Sequence, residues 1–263
     1  MVETINTKIK NRHGLNISVL IEKPEQPKGM VFILHGFSSA KSRGHVSAIA
    51  QSALENGLTA IRFDATHSSG ESDGKIELAT VTSFAADLED VITWTKKQEW
   101  YQEPFTLVGM SLGGLAVLEH THTHPSEVKA IAPIGTVVSG DLSFESYHTY
   151  KKEELEEWQK KGYIEMHNPS IPDEQIKLPW SHMEDRMRYD ALSYAHKITV
   201  PSFMIVGSED TSCPPEHQQM LHDALGSKQK ELHIIKDMTH YWRAEEHVAL
   251  LKNYFDVWLK KII

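Results

Sequence analysis

At 263 residues the chain can bury a substantial core, as one large α/β domain or two small ones. Its formal net charge of −9 argues against nucleic acid or an anionic membrane surface as partner, and apolar runs such as MVFIL are far too short to span a bilayer. The start, MVETINTKIKNRHG, is polar and mixed in charge, unlike a secretory leader, and the single cysteine, Cys213, excludes an internal disulfide framework; a soluble cytoplasmic protein is expected.

In chain order, TINTKIK and LNISVLIEKP flank NRHG as a hairpin, and GMVFILHG is a wholly apolar run ending in glycine, as a buried parallel strand should be. Val46, Ile49, Ala50, Ala53 and Leu54 fall at helical spacing, with Gly57 as the stop. LTAIRFD is a second buried strand, and Val81, Phe84, Ala85, Leu88, Val91 and Ile92 mark another amphipathic helix. FTLVGM, a helix from about Leu112, VKAIAPIG, VPSFMIVG and KELHIIKD continue the alternation, and a helix with Val248, Leu251, Phe255, Trp258, Leu259 and Ile262 on one face closes it. The pattern predicts an α/β fold with a mostly parallel central sheet and helices on both faces.

From about 136 to 197 the rhythm breaks, and no buried strand is expected there. YKKEELEEWQKKGY reads as a surface helix with Glu156–Lys160 and Glu157–Lys161 pairs, and HNPSIPDEQIKLPW, with three prolines, as irregular. This block is taken as a cap insertion within a single domain spanning 1–263. It is rich in aromatic residues, including Phe144, Tyr147, Trp158 and Trp180, which are expected to line a pocket suited to a flat or modest-sized apolar group better than to a long lipid chain.

Gly109–Gly113, GMSLG, matches Gly-x-Ser-x-Gly between a predicted strand and a predicted helix. A serine nucleophile needs a tight, strained turn that lifts its oxygen above the sheet edge, with glycines where side chains would collide. The helix beginning at Leu112 aims backbone N–H groups at the same point. A serine hydroxyl also needs a base, and the base an acid that fixes its tautomer, in the order Ser, acid, His along the chain. Asp210 follows the strand FMIVG, and His240 follows ELHIIKD; Glu209 is the competing acid, and the spacing after Gly207 favours Asp210.

The chain resembles the α/β-hydrolases over nearly its whole length. LHGF at 34–37 is similar to the segment that supplies half of the oxyanion hole, GSEDTSCPP to the acid loop, MTHYW to the histidine loop, and RFDATHSSGESDG to a further family loop. The SDG segment and the insertion before the acid loop look most like small bacterial carboxylesterases of the cinnamoyl/feruloyl-esterase type. Ser68 and Ser69 depart from that pattern, since they stand where relatives more often carry Gly-His. The resemblance implies backbone N–H groups of Phe37 and Leu112 as oxyanion donors and hydrolysis of a small-molecule ester through an acyl-enzyme, without cofactor, metal or membrane. Thioesterase, acyltransferase and peptidase activities would use the same three residues, and a non-catalytic ligand receptor is a further alternative.

Other histidines are read blandly. His120, His122 and His124 fall at a helix C-terminus, where partly positive imidazoles complement the dipole, and no metal is expected there. His35 is assigned to shaping the oxyanion loop, Cys213 to packing beside the acid loop, and Asp237 to a turn.

Overall fold

The computed structural model describes residues 1–168, 171 and 173–263. The opening hairpin, β1 (Val2–Lys10) and β2 (Asn16–Pro24), pairs antiparallel from Val2↔Pro24 to Lys10↔Asn16. It joins β3 (Met30–Leu34), β4 (Thr59–Phe63), β5 (Phe105–Met110), β6 (Val128–Ile134), β9 (Ser202–Gly207) and β10 (Lys230–Ile235) in one eight-stranded sheet of order β1-β2-β4-β3-β5-β6-β9-β10. β2 meets β4 antiparallel, and all pairings from β4 to β10 are parallel.

The apolar strands are continuous runs because both faces are covered. Met30, Phe32 and Leu34 of β3 enter a core with α2 (Val81–Thr95), α3 (Leu112–Thr123) and Leu221 of α7 (Pro215–Ala224). Val31 and Ile33, pointing the other way, meet α1 (Gly44–Glu55) and α8 (Glu245–Ile262). Each such side chain taken fully from water contributes about 1.5–3 kcal/mol. Because the central strands run parallel, the chain leaves β5, β6, β9 and β10 at one common edge, the edge where open α/β sheets bind ligands.

Between β6 and β9 lie α4 (Gly140–Tyr150), α5 (Lys152–Lys161), β7 (Tyr163–His167), β8 (Gln175–Pro179), α6 (Ser181–Arg186) and two short 3-10 turns. The sequence predicts no buried strand here and an irregular HNPSIPDEQIKLPW; β7 and β8 are partly buried and form a separate antiparallel hairpin from Tyr163↔Pro179 to His167↔Gln175, which corrects the irregular reading over Gln175–Pro179. Pro179 is tolerated because it ends the strand; Pro169, Ser170 and Pro172 of the segment read as irregular lie outside the described residues. The hairpin turns Ile164, Ile176 and Leu178 inward against Trp158 and Met183, a small core that the insertion builds on Ile76 of the body. On α5, Glu157 pairs with Lys161 as expected, but Glu156 pairs with Lys152 rather than Lys160.

Candidate active site

Ser111 sits between the last residue of β5 and the first of α3 with φ 50° and ψ −114°, a region costly for a residue with a side chain. The surroundings hold it there. Its N–H donates to the Ile134 carbonyl (2.9 Å), and its own carbonyl accepts from Gly114 N (3.0 Å), Val137 N (3.2 Å) and Thr136 Oγ1 (3.2 Å). The two flanking glycines are steric necessities. A Cβ on Gly109 would stand 2.2 Å from the Gly113 carbonyl oxygen, and one on Gly113 would stand 2.4 Å from the His35 carbonyl oxygen.

Asp210, after β9, is buried, and each of its oxygens is used. Oδ1 accepts from the backbone N–H groups of Ser212 (2.9 Å) and Cys213 (2.8 Å), while Oδ2 meets His240 Nδ1 at 2.7 Å. His240, beyond β10, is thus fixed with Nδ1–H toward the carboxylate, which leaves Nε2 as the basic nitrogen. Ser111 and His240 both line a cavity of 690 Å³ at the strand-end edge. Glu209 is exposed and its backbone N–H donates to the Met238 carbonyl (2.8 Å), so the structure brings Asp210, not Glu209, to the histidine. Asp237 lies at φ 59° in the turn after β10.

Phe37 lines the same cavity, and Leu112 is the first residue of α3, so its N–H has no carbonyl of a preceding turn to bond. The loop carrying Phe37 is shaped by His35. Its Nε2 accepts from Ala65 N (3.1 Å), which places the ring proton on Nδ1, and this donates to the Gly36 carbonyl (2.7 Å). Complete burial pushes the His35 pKa down, so the ring is a neutral strut. Ser69, one of the two departures from the family pattern, accepts from Asn168 Nδ2 (3.0 Å), tying that loop to the turn of the β7–β8 hairpin.

Of the four insertion aromatics, Tyr147 lines the cavity, and burial pushes its hydroxyl pKa up. Phe144, Trp158 and Trp180 do not. Trp158 is fully buried in the insertion's core and Trp180 packs edge-on against it, centroids 5.4 Å apart. Leu155 and Trp158 are the buried residues of an otherwise charged helix, a spacing that already reads as core. The cavity's other rings are Phe37, Tyr241 and Trp242, outside the insertion.

Sequence reasoning missed Arg43, Lys151, Arg186 and Arg243, which also line the cavity, and the buried His182 beside them. It placed Cys213 by the acid loop correctly but did not foresee that the thiol sits in the cavity wall within hydrogen-bonding reach of the Ser111 side chain; burial raises the thiol's pKa.

The His120 cluster lies at the far end of α3. His120 is buried, and desolvation with the nearby His124 pushes its pKa down to about 4, so it is neutral and not the partly positive ring expected at a helix end. Glu89 of α2 joins His120 and His124, one ligand atom from each lying within 4.8 Å of the others, a grouping no sequence spacing announces. Glu89 is itself paired with Arg12 (2.9 Å), and nearby Glu127 with Lys96.

A sheet of this order, with a serine on the strand–helix turn and an acid–histidine pair at neighbouring strand ends, defines the α/β-hydrolase fold. The chain belongs to the family described as serine aminopeptidase, S33, which matches residues 25–165 and 157–247, and is a hydrolase by that membership. The mouse mitochondrial palmitoyl-protein thioesterase ABHD10 is 24% identical over 89% of this chain and 76% of its own. An Escherichia coli protein described only as an uncharacterized 31.7 kDa protein in the traX-finO intergenic region is 25% identical over 96% of this chain and 97% of its own. The fold is also that of Est1E from Butyrivibrio proteoclasticus, solved with ferulic acid bound (TM-score 0.78, 20% identity, 97% of this chain and 98% of that one). The mouse ABHD10 structure superposes with a TM-score of 0.79 at 20% identity, covering 98% of this chain and all of that one. Among the described residues no helix is long and apolar enough to cross a membrane.

Proposed function

We propose that the chain is a serine hydrolase of small carboxylic esters or thioesters that works through an acyl-enzyme. The observation that carries this reading is Ser111, pinned at positive φ on the β5–α3 turn, beside a cavity shared with a histidine whose far nitrogen is bonded to Asp210. Ser111 Oγ attacks the acyl carbonyl while His240 Nε2 takes its proton. Asp210 holds the Nδ1–H tautomer and stabilises the imidazolium. The N–H groups of Phe37 and Leu112 receive the oxyanion, a contribution of about 3–4 kcal/mol per donor in comparable sites. His240 then protonates the departing alcohol or thiol, and a water molecule, deprotonated by the same histidine, releases the acid and restores Ser111.

The family description names a peptidase, but an aminopeptidase has to hold a free ammonium group, and no aspartate or glutamate is among the described residues lining the cavity. That absence of an anionic anchor favours an ester or thioester. Thioester cleavage is also supported by what the ABHD10 relatives are named for. The four rings Phe37, Tyr147, Tyr241 and Trp242 suit a short-chain or flat aryl group such as a hydroxycinnamate. The test is covalent. A fluorophosphonate should add one mass increment to Ser111 and abolish turnover of activated esters, and Ser111→Ala should take up no label. Labelling at another residue, or full ester turnover by Ser111→Ala, would discard the reading.

A further inference from the structure

The cavity is cationic in an acidic protein. Arg43, Lys151, Arg186 and Arg243 stand in its wall, and among its described lining residues there is no carboxylate; Asp210 lies behind His240. The chain as a whole carries a formal charge of −9, so this concentration of one sign is opposite to the rest of the molecule. A cleft lined by one sign of charge focuses the field and concentrates ligands of the other sign.

Arg186 is the most specifically built of the four. It projects from α6 one turn after His182, whose buried ring donates from Nδ1 to the Ala79 carbonyl (2.6 Å). The remaining nitrogen, Nε2, must then accept, and it does so from an Arg186 terminal N–H at 2.7 Å. Burial and the Arg186 charge push the His182 pKa down to about 3, so the contact orients the guanidinium without neutralising it. No carboxylate bonds to Arg186 among the described residues, and its Nε is buried without a partner. α6 is itself docked on the body, since Asp185 accepts from Thr82 Oγ1 (2.5 Å) and Thr82 N (3.1 Å). Arg186 shares the cavity wall with Tyr147, Cys213 and Ser111. A half-buried guanidinium held by one neutral acceptor, with its Nε buried and no carboxylate bonded to it among the described residues, is suited to a ligand that supplies an anion.

We propose that this cavity is built for an anionic ester or thioester, and that Arg186, aimed by His182, receives the substrate's carboxylate or phosphate while Ser111 attacks the acyl carbonyl. The inference rests on the ester-hydrolase reading above and adds the charge of the substrate to it. The negative group could belong to the acyl part, as in a dicarboxylic half-ester, or to the leaving group, as in a phosphorylated thiol. Arginine serves both because its planar fork matches either oxyanion.

The experiment compares matched pairs at constant ionic strength. For the acyl side, the mono-p-nitrophenyl ester of adipate is set against p-nitrophenyl hexanoate, which replaces the terminal carboxylate by a methyl group. For the leaving side, butyryl-phosphopantetheine is set against butyryl-pantetheine. In one arm the anionic member should have a kcat/KM at least about tenfold higher, the size expected of one charge-assisted pair. In Arg186→Gln that ratio should fall toward unity, and in the wild type 0.5 M NaCl should reduce it. The salt titration uses the unaltered protein, so a misfolded Arg186→Gln does not shelter the proposal. Ratios near unity in both arms, with all turnover lost in Ser111→Ala, would overturn the anionic substrate and leave the hydrolase intact. Turnover that survives in Ser111→Ala would instead overturn the hydrolase reading beneath it.

Discussion

Helix α3 has a histidine–carboxylate group near each end, and the two are built differently. Beyond its N-terminus, Asp210 and His240 meet at 2.7 Å, with the carboxylate buried and the ring's other edge in a cavity. Near its C-terminus, His120 Nε2 stands 3.6 Å from Glu127, too far for a hydrogen bond, and both ring nitrogens are buried without partners. There His120 stacks on His124 with centroids 4.6 Å apart, and the carboxylates are engaged by Arg12 and Lys96. Burial alone gives a neutral, isolated imidazole. A proton-transferring imidazole needs one nitrogen bonded to a carboxylate and the other open to the reacting group.

The comparison breaks most decisively at His240. His240→Ala should lower kcat on an activated ester by about three orders of magnitude or more, with an unchanged far-ultraviolet circular dichroism spectrum. Asp210→Asn should be impaired by up to about 10⁴-fold, because the amide cannot hold the Nδ1–H tautomer. Steady-state rates on one ester decide both. Near-native turnover in either variant would remove the acid–histidine pair from the mechanism. At the other end of α3, His120→Phe should leave kcat/KM within about twofold, since the ring is roughly 13 Å along the helix from Ser111 at 1.5 Å per residue. Loss of turnover there, in a folded variant, would make the two groups functionally equivalent.

What could be read from the sequence follows the same division. The sheet was legible because buried parallel strands are continuous apolar runs, and Met30–Leu34 is buried at all five positions. Ser111, Asp210 and His240 were legible because parallel strands bring their C-terminal ends to one edge whatever the loops do. The insertion was not, since its strands are short and only partly buried, and Gln175–Pro179 carries its apolar residues at alternate positions beside a cluster of prolines. Its aromatic count suggested a pocket, but the rings divide by packing, Trp158 into the insertion's core and Tyr147 into the cavity. Arg186 and His182 had no local signature. Their role depends on how α6 docks against Ala79 and Thr82, more than one hundred positions away.

The smallest expected effect concerns stability and pH. In the folded chain the His120 pKa is pushed down to about 4 from an ordinary value of 6.5, by burial first and then by His124. Above pH 6.5 both folded and unfolded chains hold a neutral ring, and its contribution is complete. As pH falls below 6.5 the unfolded chain binds a proton that the folded chain refuses, so stability drops until about pH 4. One such group steepens the dependence by up to about 1.4 kcal/mol per pH unit. His120→Phe removes the titrating ring while keeping an aromatic surface toward Phe105, now 6.1 Å from the His120 ring. Urea unfolding at pH 7 and at pH 5 should therefore differ less in the variant than in the wild type. An equal loss on acidification would mean that the folded chain does not hold the His120 pKa below its unfolded value, and a larger loss that it holds the ring protonated, with a carboxylate contact closer than the 3.6 Å separation from Glu127.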